Sequence, residues 1–261
     1  MSDPALAPYL TRPLTPPDPA VLAEIGRGPI DPARAVEWRR IDRLLDPAPL
    51  AVETGWCFLP DRAGYVAVRT TMPGVTGEMV EWWFDWHPRD PDRYRLWHPR
   101  AHFGNSIEPA ATPGAKPHWG AVHHPVEDVG TGVEHVRIAF APPTAIGFST
   151  DALEDAGVAT IVCGYVGDDR RRLRHSAMAH VFLAVPDGVV LRSHFWLGAA
   201  VRPYLPDLLA APLGRVLNTR PVRRLSLPAA LPRALATHCA EEYANLATLL
   251  PELYGRFGPA A

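Results

Sequence analysis

Between positions 231 and 254 the apolar residues Leu231, Leu235, Leu246, Leu249 and Leu253 recur every three or four positions. That period predicts a long amphipathic helix near the end of the chain. Ahead of it, runs rich in β-branched and aromatic residues predict strands over 56–59, 64–71, 118–128, 134–140, 158–166, 174–185 and 189–197. Asp187-Gly188, between the last two runs, is a hairpin signal. Shorter helices are predicted over 20–27, 32–45, 77–86 (opening after Thr76) and 206–217, while 93–98 suits a helical turn or a strand. Residues 1–20 are rich in Pro, which predicts an extended arm outside the packed core. Strands followed by one long helix indicate an α+β fold in which an antiparallel sheet wraps that helix. A cavity is expected between the two. The chain thus divides into an N-terminal arm, 1–50, and a main domain, 51–261.

Two positions interrupt the apolar stripe of the last helix. His238 and Glu242 stand where the pattern calls for leucine, one turn apart and on the same side. Unpartnered polar groups on a buried stripe are costly. A metal ion shared by both would satisfy them, and so would a His–Glu hydrogen bond in the core. Cys239 faces about 100° away and reads as packing.

Composition narrows the classes. A 261-residue chain that is 47% hydrophobic and 21% charged, with net charge −2, is an ordinary globular protein long enough to enclose a ligand cavity. Near-neutral charge argues against nucleic acid as a partner, and Arg170-Arg171-Arg172 and Arg223-Arg224 read as solvated turn or strand-edge clusters. No apolar run reaches the roughly 20 residues of a membrane span. The first residues lack the pattern of a secretion signal, and Cys57, Cys163 and Cys239 form no paired framework, so a reducing, cytoplasmic location is expected. Lys116 is the single lysine, which leaves Schiff-base chemistry to a buried Lys116 alone. GxSxG, P-loop and GxGxxG patterns are absent. Trp82-Trp83-Phe84 reads as core rather than as a cofactor platform.

Metal ligands beyond the helix are available. His98 and His102 form an HxxxH, with Pro99 opposing a regular helix through both. On a strand His123 and Glu127 share a face, with His124 opposite. His175, His180 and His194 lie in the 174–197 strand pair.

Four ordered motifs carry a family resemblance: Met79-Val-Glu-Trp-Trp-Phe84; Tyr94-Arg-Leu-Trp-His-Pro99 with His102 and Asn105; Arg192-Ser-His-Phe-Trp-Leu-Gly198; and His238-Cys-Ala-Glu-Glu242. Over residues 50 to 254 the chain resembles the 2,4-diacetylphloroglucinol hydrolase family, which includes phloretin hydrolase. The resemblance implies a Bet v 1-like helix-grip domain, an N-terminal part that helps to form a homodimer, and zinc-dependent hydrolysis of the carbon–carbon bond between a phenolic ring and an acyl group. It further implies zinc ligands His102, His238, Glu242 and Glu127, with Glu134 as the alternative to Glu127. Tyr94 and Asn105 are implied as substrate-binding residues and His180 as the catalytic proton carrier, with an ordinary imidazole pKa near the working pH. Phe195 stands where the family has a second substrate-binding Tyr, and Phe offers no hydrogen bond to a phenolic or acyl oxygen. Two other readings follow from that departure and from the fold: a metal-dependent lyase, cyclase or isomerase acting on a polyketide-like ligand, and a non-catalytic carrier of small aromatic molecules.

Overall fold

The computed structural model describes residues 3–111, 114–155 and 157–259. The chain runs α1 (Ala7–Leu10), α2 (Pro19–Gly26), 3-10 segments Pro32–Arg34 and Trp38–Leu45, β1 (Gly55–Phe58), β2 (Gly64–Pro73), α3 (Gly77–Trp86), a 3-10 turn His87–Arg89, and α4 (Pro91–Trp97). Next come β3 (His102–Gly104), β4 (Ile107–Glu108), β5 (Val122–His123), β6 (Val126–Asp128), β7 (Val133–Phe140), α5 (Pro143–Ile146), α6 (Thr150–Asp155), β8 (Val158–Asp168), β9 (Leu173–Val185) and β10 (Gly188–Leu197). β11 (Arg202–Pro203), α7 (Asp207–Leu217), α8 (Arg220–Ser226) and α9 (Leu231–Phe257) complete it. The strands pair antiparallel in the order β1-β2-β10-β9-β8-β7-β5-β4, with β6 joining β7 to β3 and β11 on β9. This is the expected α+β helix-grip arrangement, a sheet wrapped around one long helix.

The central strands read as nearly continuous apolar runs because both faces of the sheet are covered. Val66, Val68, Met178, Phe182, Leu191 and Phe195 point inward to a core shared with Ala236, Tyr243, Leu246 and Leu250 of α9. Their strand neighbours Tyr65, Ala67, Ala177, Val181 and Trp196 point outward and are covered by Ile41, Leu44, Ile146 and Phe148. The N-terminal part therefore supplies the outer layer. Buried Arg192 fastens it: its guanidinium donates to the Glu53 carboxylate at 2.7 Å and to the backbone carbonyls of Leu44, Asp46 and Ala48.

Four expectations need correction. The first 20 residues are not outside the core, because fully buried Leu6 and nearly buried Tyr9 pack with α9. The helix expected over 32–45 is two 3-10 pieces; Ala35 is extended with ψ 145°, and Arg40 departs from helical geometry. The strand expected over 118–128 breaks into β5 and β6, because Pro125 cannot donate to a ladder. Arg223 is buried, not solvated: it donates to the Gly198 carbonyl at 2.8 Å and to the Asp61 carboxylate at 2.6 Å. The exposed Arg170, Arg171 and Arg172 match expectation. α7 lies where the insertion was expected, and it turns its small residues Ala210 and Gly214 inward while Leu208 and Leu209 face out.

Local sequence sets the elements that carry the site. Thr76 caps α3 by accepting from the Met79 amide at 3.3 Å. A Cβ on Gly77 would meet the Ala159 carbonyl oxygen at 2.5 Å, so glycine lets α3 start against β8. Asp90 and Pro91 open α4, and Pro99 forces His98 out of helical geometry, to φ −148°, ψ 83°. The chain then turns, and His102 starts β3 opposite Glu127 of β6.

Candidate metal centre and ligand cavity

Cross-strand pairing of His102 with Glu127 places their side chains together, and one turn of α9 brings His238 and Glu242 to them. The Nε2 atoms of His102 and His238 are 3.3 Å apart. The Glu242 carboxylate is 3.6 Å from each of these nitrogens, and the Glu127 carboxylate is 3.8 Å from that of His102. His102, Glu127 and His238 form a group of possible metal donors within 4.8 Å of one another. Tetrahedral zinc with bonds near 2.0–2.1 Å separates its donors by about 3.3–3.4 Å, close to the 3.3 to 3.8 Å separations of His102 from His238, Glu242 and Glu127. Glu134 pairs with Glu127 across β6 and β7, but its side chain is exposed and outside this group.

The electrostatics suit a cation. Burial pushes the Glu127 carboxyl up to about 7 and the Glu242 carboxyl well above the usual range, the second also raised by Glu127. Burial lowers His238 to about 3 and holds His102 well below its ordinary value, with His238 adding to the effect. A divalent cation reverses this preference and displaces the protons the carboxylates otherwise retain. The supporting contacts suit ligand duty: the Nδ1 of His102 faces the Tyr94 carbonyl at 3.3 Å, which leaves Nε2 to the centre. The Tyr94 ring stacks on His102 at 4.3 Å, and its hydroxyl donates to Glu127. His98, the other half of the HxxxH, stays outside: its Nε2 is 3.1 Å from the Glu241 carboxylate, and its ring stacks on that of His238.

The centre forms part of the wall of a cavity of about 140 Å³ between sheet and α9. An apolar space of about 150 Å³ holds a benzene ring, so the enclosed part suits one substituted ring. Val136, Ile138, Phe140, Met178, Leu231 and Leu235 provide apolar wall. The expected substrate-binding residues Tyr94, Asn105 and Phe195 all line it. Both amide atoms of Asn105 are buried without a hydrogen-bond partner. Phe195 meets the ring of His180 edge-on at 5.4 Å.

His180 projects from β9 into the cavity, and its Nδ1 lies 2.8 Å from the Ser193 hydroxyl directly opposite on β10. Ser193 can donate or accept there, so it orients the ring in either tautomer. The other histidines of this strand pair differ. His194 faces the outer layer against the Tyr65 hydroxyl at 3.0 Å, and His175 sits by Ser176 at another part of the cavity. His123 lines the cavity with Glu127, while His124 points away to Asp169 and Glu108. Lys116, ion-paired with Glu81, is not a buried amine. The three cysteines are free and buried. Among the described residues no helix is long and apolar enough to cross a membrane.

Sequence reasoning did not single out Ser193, His87 or Tyr243. His87 lines the cavity next to Tyr94, and Tyr243 packs on His180 with ring centroids 5.1 Å apart. Helical spacing is an available signal for Tyr243, which lies three residues before Leu246 of the apolar stripe.

Burial lowers His87, His180 and His194 to about 3 from an ordinary 6.5. A depressed imidazole stabilises the fold fully above its unfolded pKa and loses that contribution as pH falls towards the folded value. Urea midpoints should therefore decline progressively below pH 6.5, the unfolded reference value. A midpoint unchanged down to about pH 4.5 would contradict these neutral buried rings.

The chain is similar to several known proteins. Residues 36–255 match the family described as DAPG hydrolase PhiG domain. The phloretin hydrolase of Eubacterium ramulus is 30% identical over 254 residues, covering 94% of this chain and 88% of that protein. A 2,4-diacetylphloroglucinol hydrolase of Pseudomonas protegens is 33% identical over 230 residues, covering 85% and 74%. Among solved structures, ginseng major latex-like protein 151 from Panax ginseng aligns with a TM-score of 0.35 at 12% identity, over 64% of this chain and 99% of that one.

Proposed function

This chain belongs to the DAPG hydrolase PhiG domain family, and we propose that it is a zinc-dependent hydrolase that cleaves the carbon–carbon bond joining a phenolic ring to an acyl group. The observation that carries this reading is the cluster of His102, Glu127, His238 and Glu242, the last three of which line a ring-sized apolar cavity that also holds His180. The curated relatives, by their names, hydrolyse phloretin and 2,4-diacetylphloroglucinol, and acylated phloroglucinols are the substrate class taken here.

Zinc held by these four residues would supply Lewis acidity and favour a water nucleophile near neutral pH, less strongly than with three neutral histidines because two carboxylates offset its charge. The chain's own residues do the rest. Tyr94 positions two of the ligands, by its bond to Glu127 and its stack on His102. The unpartnered amide of Asn105 holds a phenolic oxygen. Phe195 supplies wall rather than a hydrogen bond.

His180 departs from the sequence expectation in one respect. Its pKa of about 3 makes it a neutral imidazole, which must gain a proton before it can give one. It therefore acts first as a base. With Nδ1–H donating to Ser193, Nε2 takes a proton from the attacking water as oxygen bonds to the acyl carbon. The carbon–carbon bond then breaks, its electron pair stays with the ring carbon, and His180 returns the proton to that carbon. Phenol and carboxylic acid result, with one water consumed. A phloroglucinol-type ring accepts a proton at carbon because its hydroxyls stabilise the keto form.

Turnover of monoacyl and diacyl phloroglucinols, together with elemental analysis, tests the reading. One acid released per bond cleaved and about one zinc per chain are expected. A zinc-loaded protein that cleaves neither would overturn the substrate class. The same proposal takes the assembly as a cytoplasmic homodimer, which light scattering would show as twice the chain mass.

A further inference from the structure

His87 closes α3 and lies in the cavity wall, 1% exposed, yet the reaction outlined above gives it no task. Its Nδ1 is 2.6 Å from the Trp83 carbonyl oxygen. A carbonyl only accepts, so Nδ1 carries the proton, and in a neutral ring Nε2 is then a bare acceptor. Burial keeps the ring neutral, with a pKa of about 3. The one hydrogen bond of the His87 ring among the described residues is at Nδ1, and the residue lines the cavity. A free acceptor in the cavity wall gains most from a ligand group that donates to it, since a ligand that displaces water without donating leaves it unpaired.

The surroundings limit what that ligand group is. Trp83 stacks on His87 at 4.8 Å, and Phe84, Trp97 and His123 meet its ring edge-on, so the imidazole cannot swing to another partner. Tyr94 lies between His87 and the metal centre: its ring is 4.3 Å from that of His102 on one side and 5.9 Å from that of His87 on the other. His102 and His87 thus lie against opposite faces of the Tyr94 ring, one at the centre and the other beyond it. With both faces of Tyr94 covered, a ligand ring whose acyl carbon is at the centre passes the edge of Tyr94 and directs its far side towards His87, which lines the same cavity.

We propose that the Nε2 atom of His87 accepts a hydrogen bond from the ring hydroxyl farthest from the acyl carbon, so that His87 selects rings hydroxylated at that position over rings that carry hydrogen or a methoxy group there. The proposal rests on the reading of the cavity as an acylphenol site. It adds a specificity-determining residue and a defined hydroxylation pattern for the substrate.

The test compares two ketones that differ by one group: monoacetylphloroglucinol, and the same ketone lacking the hydroxyl para to the acetyl group. The wild-type protein should prefer the first by about tenfold or more. His87→Asn keeps an N–H for the Trp83 carbonyl and removes the far acceptor, and it should erase most of that preference by weakening only the trihydroxy ketone. His87→Gln reaches further and should restore part of it. Ratios of kcat/KM give the preference if the ketones are cleaved, and calorimetric dissociation constants give it if they are not, so failure of the hydrolase reading leaves this measurement intact. Equal losses for both ketones in His87→Asn, or no loss for either, would overturn the proposal. Should that variant fail to fold, a wild-type protein that binds the two ketones equally would overturn it too.

Discussion

His238→Ala and Glu242→Ala are each expected to lose bound zinc and to reduce kcat/KM by about a thousandfold or more. In the proposed site each side chain supplies one donor, His238 at 3.3 Å from His102 Nε2 and Glu242 at 3.6 Å from both imidazole nitrogens. Removing Glu242 also removes a carboxyl that burial disfavours in its charged form, so the variant without metal should fold at least as well as the parent. Loss of function with retained folding is the signature of a metal ligand. Glu241→Ala is the internal control. Glu241 is adjacent in sequence but bonds His98 rather than the centre, and its removal should leave zinc bound. Full zinc in both the His238 and Glu242 variants, measured by elemental analysis after gel filtration, would remove the basis for the site.

The second large effect concerns the proton. His180→Ala should lower kcat by about a hundred- to ten-thousandfold while zinc stays bound and substrate affinity changes little. Two imidazoles of β9 line the cavity, His175 and His180; His180, held at Nδ1 by Ser193 and packed between Phe195 and Tyr243, is the one assigned here, and it is not among the possible metal donors. Ser193→Ala should cost less, because it loosens the ring without removing the base. With its low pKa, His180 stays neutral across ordinary buffers, so kcat should show no acid limb near pH 6.5, the ordinary imidazole value. An Ala variant that retains most of its kcat would assign the proton transfer to another group.

Much of this architecture is readable from residue patterns, and the failures have physical causes. α3 and α9 follow from period and capping: Thr76 sets one start, and the leucine stripe sets the other helix. His238 and Glu242 stand out because they break that stripe. The strands are legible, but their two faces are not. A sheet covered on both sides shows no alternation, so the outer layer formed by Ile41 and Leu44 leaves no mark in the strands it covers. That is also why the first residues were expected outside the core: Leu6 and Tyr9 are isolated apolar residues in a Pro-rich run, and only the helix they meet explains them. His102 was singled out over His98 only through family spacing. The physical reason for the choice, Pro99 ending α4 so that His102 can start a strand, depends on where the chain turns next. Ser193 is not legible because a hairpin signal does not fix register. Asp187-Gly188 does mark the hairpin, but the turn centres on Pro186-Asp187, with Gly188 at φ 145° opening β10. A turn centred on Asp187-Gly188 would pair His180 with Phe195, whereas the actual register pairs it with Ser193.

Hydrolysis at the acyl carbon is the claim on which the rest depends, and the isotopic fate of water tests it most directly. Monoacetylphloroglucinol is turned over in heavy-oxygen water by the zinc-loaded protein, and the released acid is examined by mass spectrometry. The account predicts one heavy oxygen in the carboxyl group of each acid released, and none incorporated into the ring product by the cleavage. Consumption of the ketone without labelled acid, giving a rearranged or cyclised product of unchanged mass, would contradict it and would identify a metal-assisted lyase, cyclase or isomerase in the same cavity.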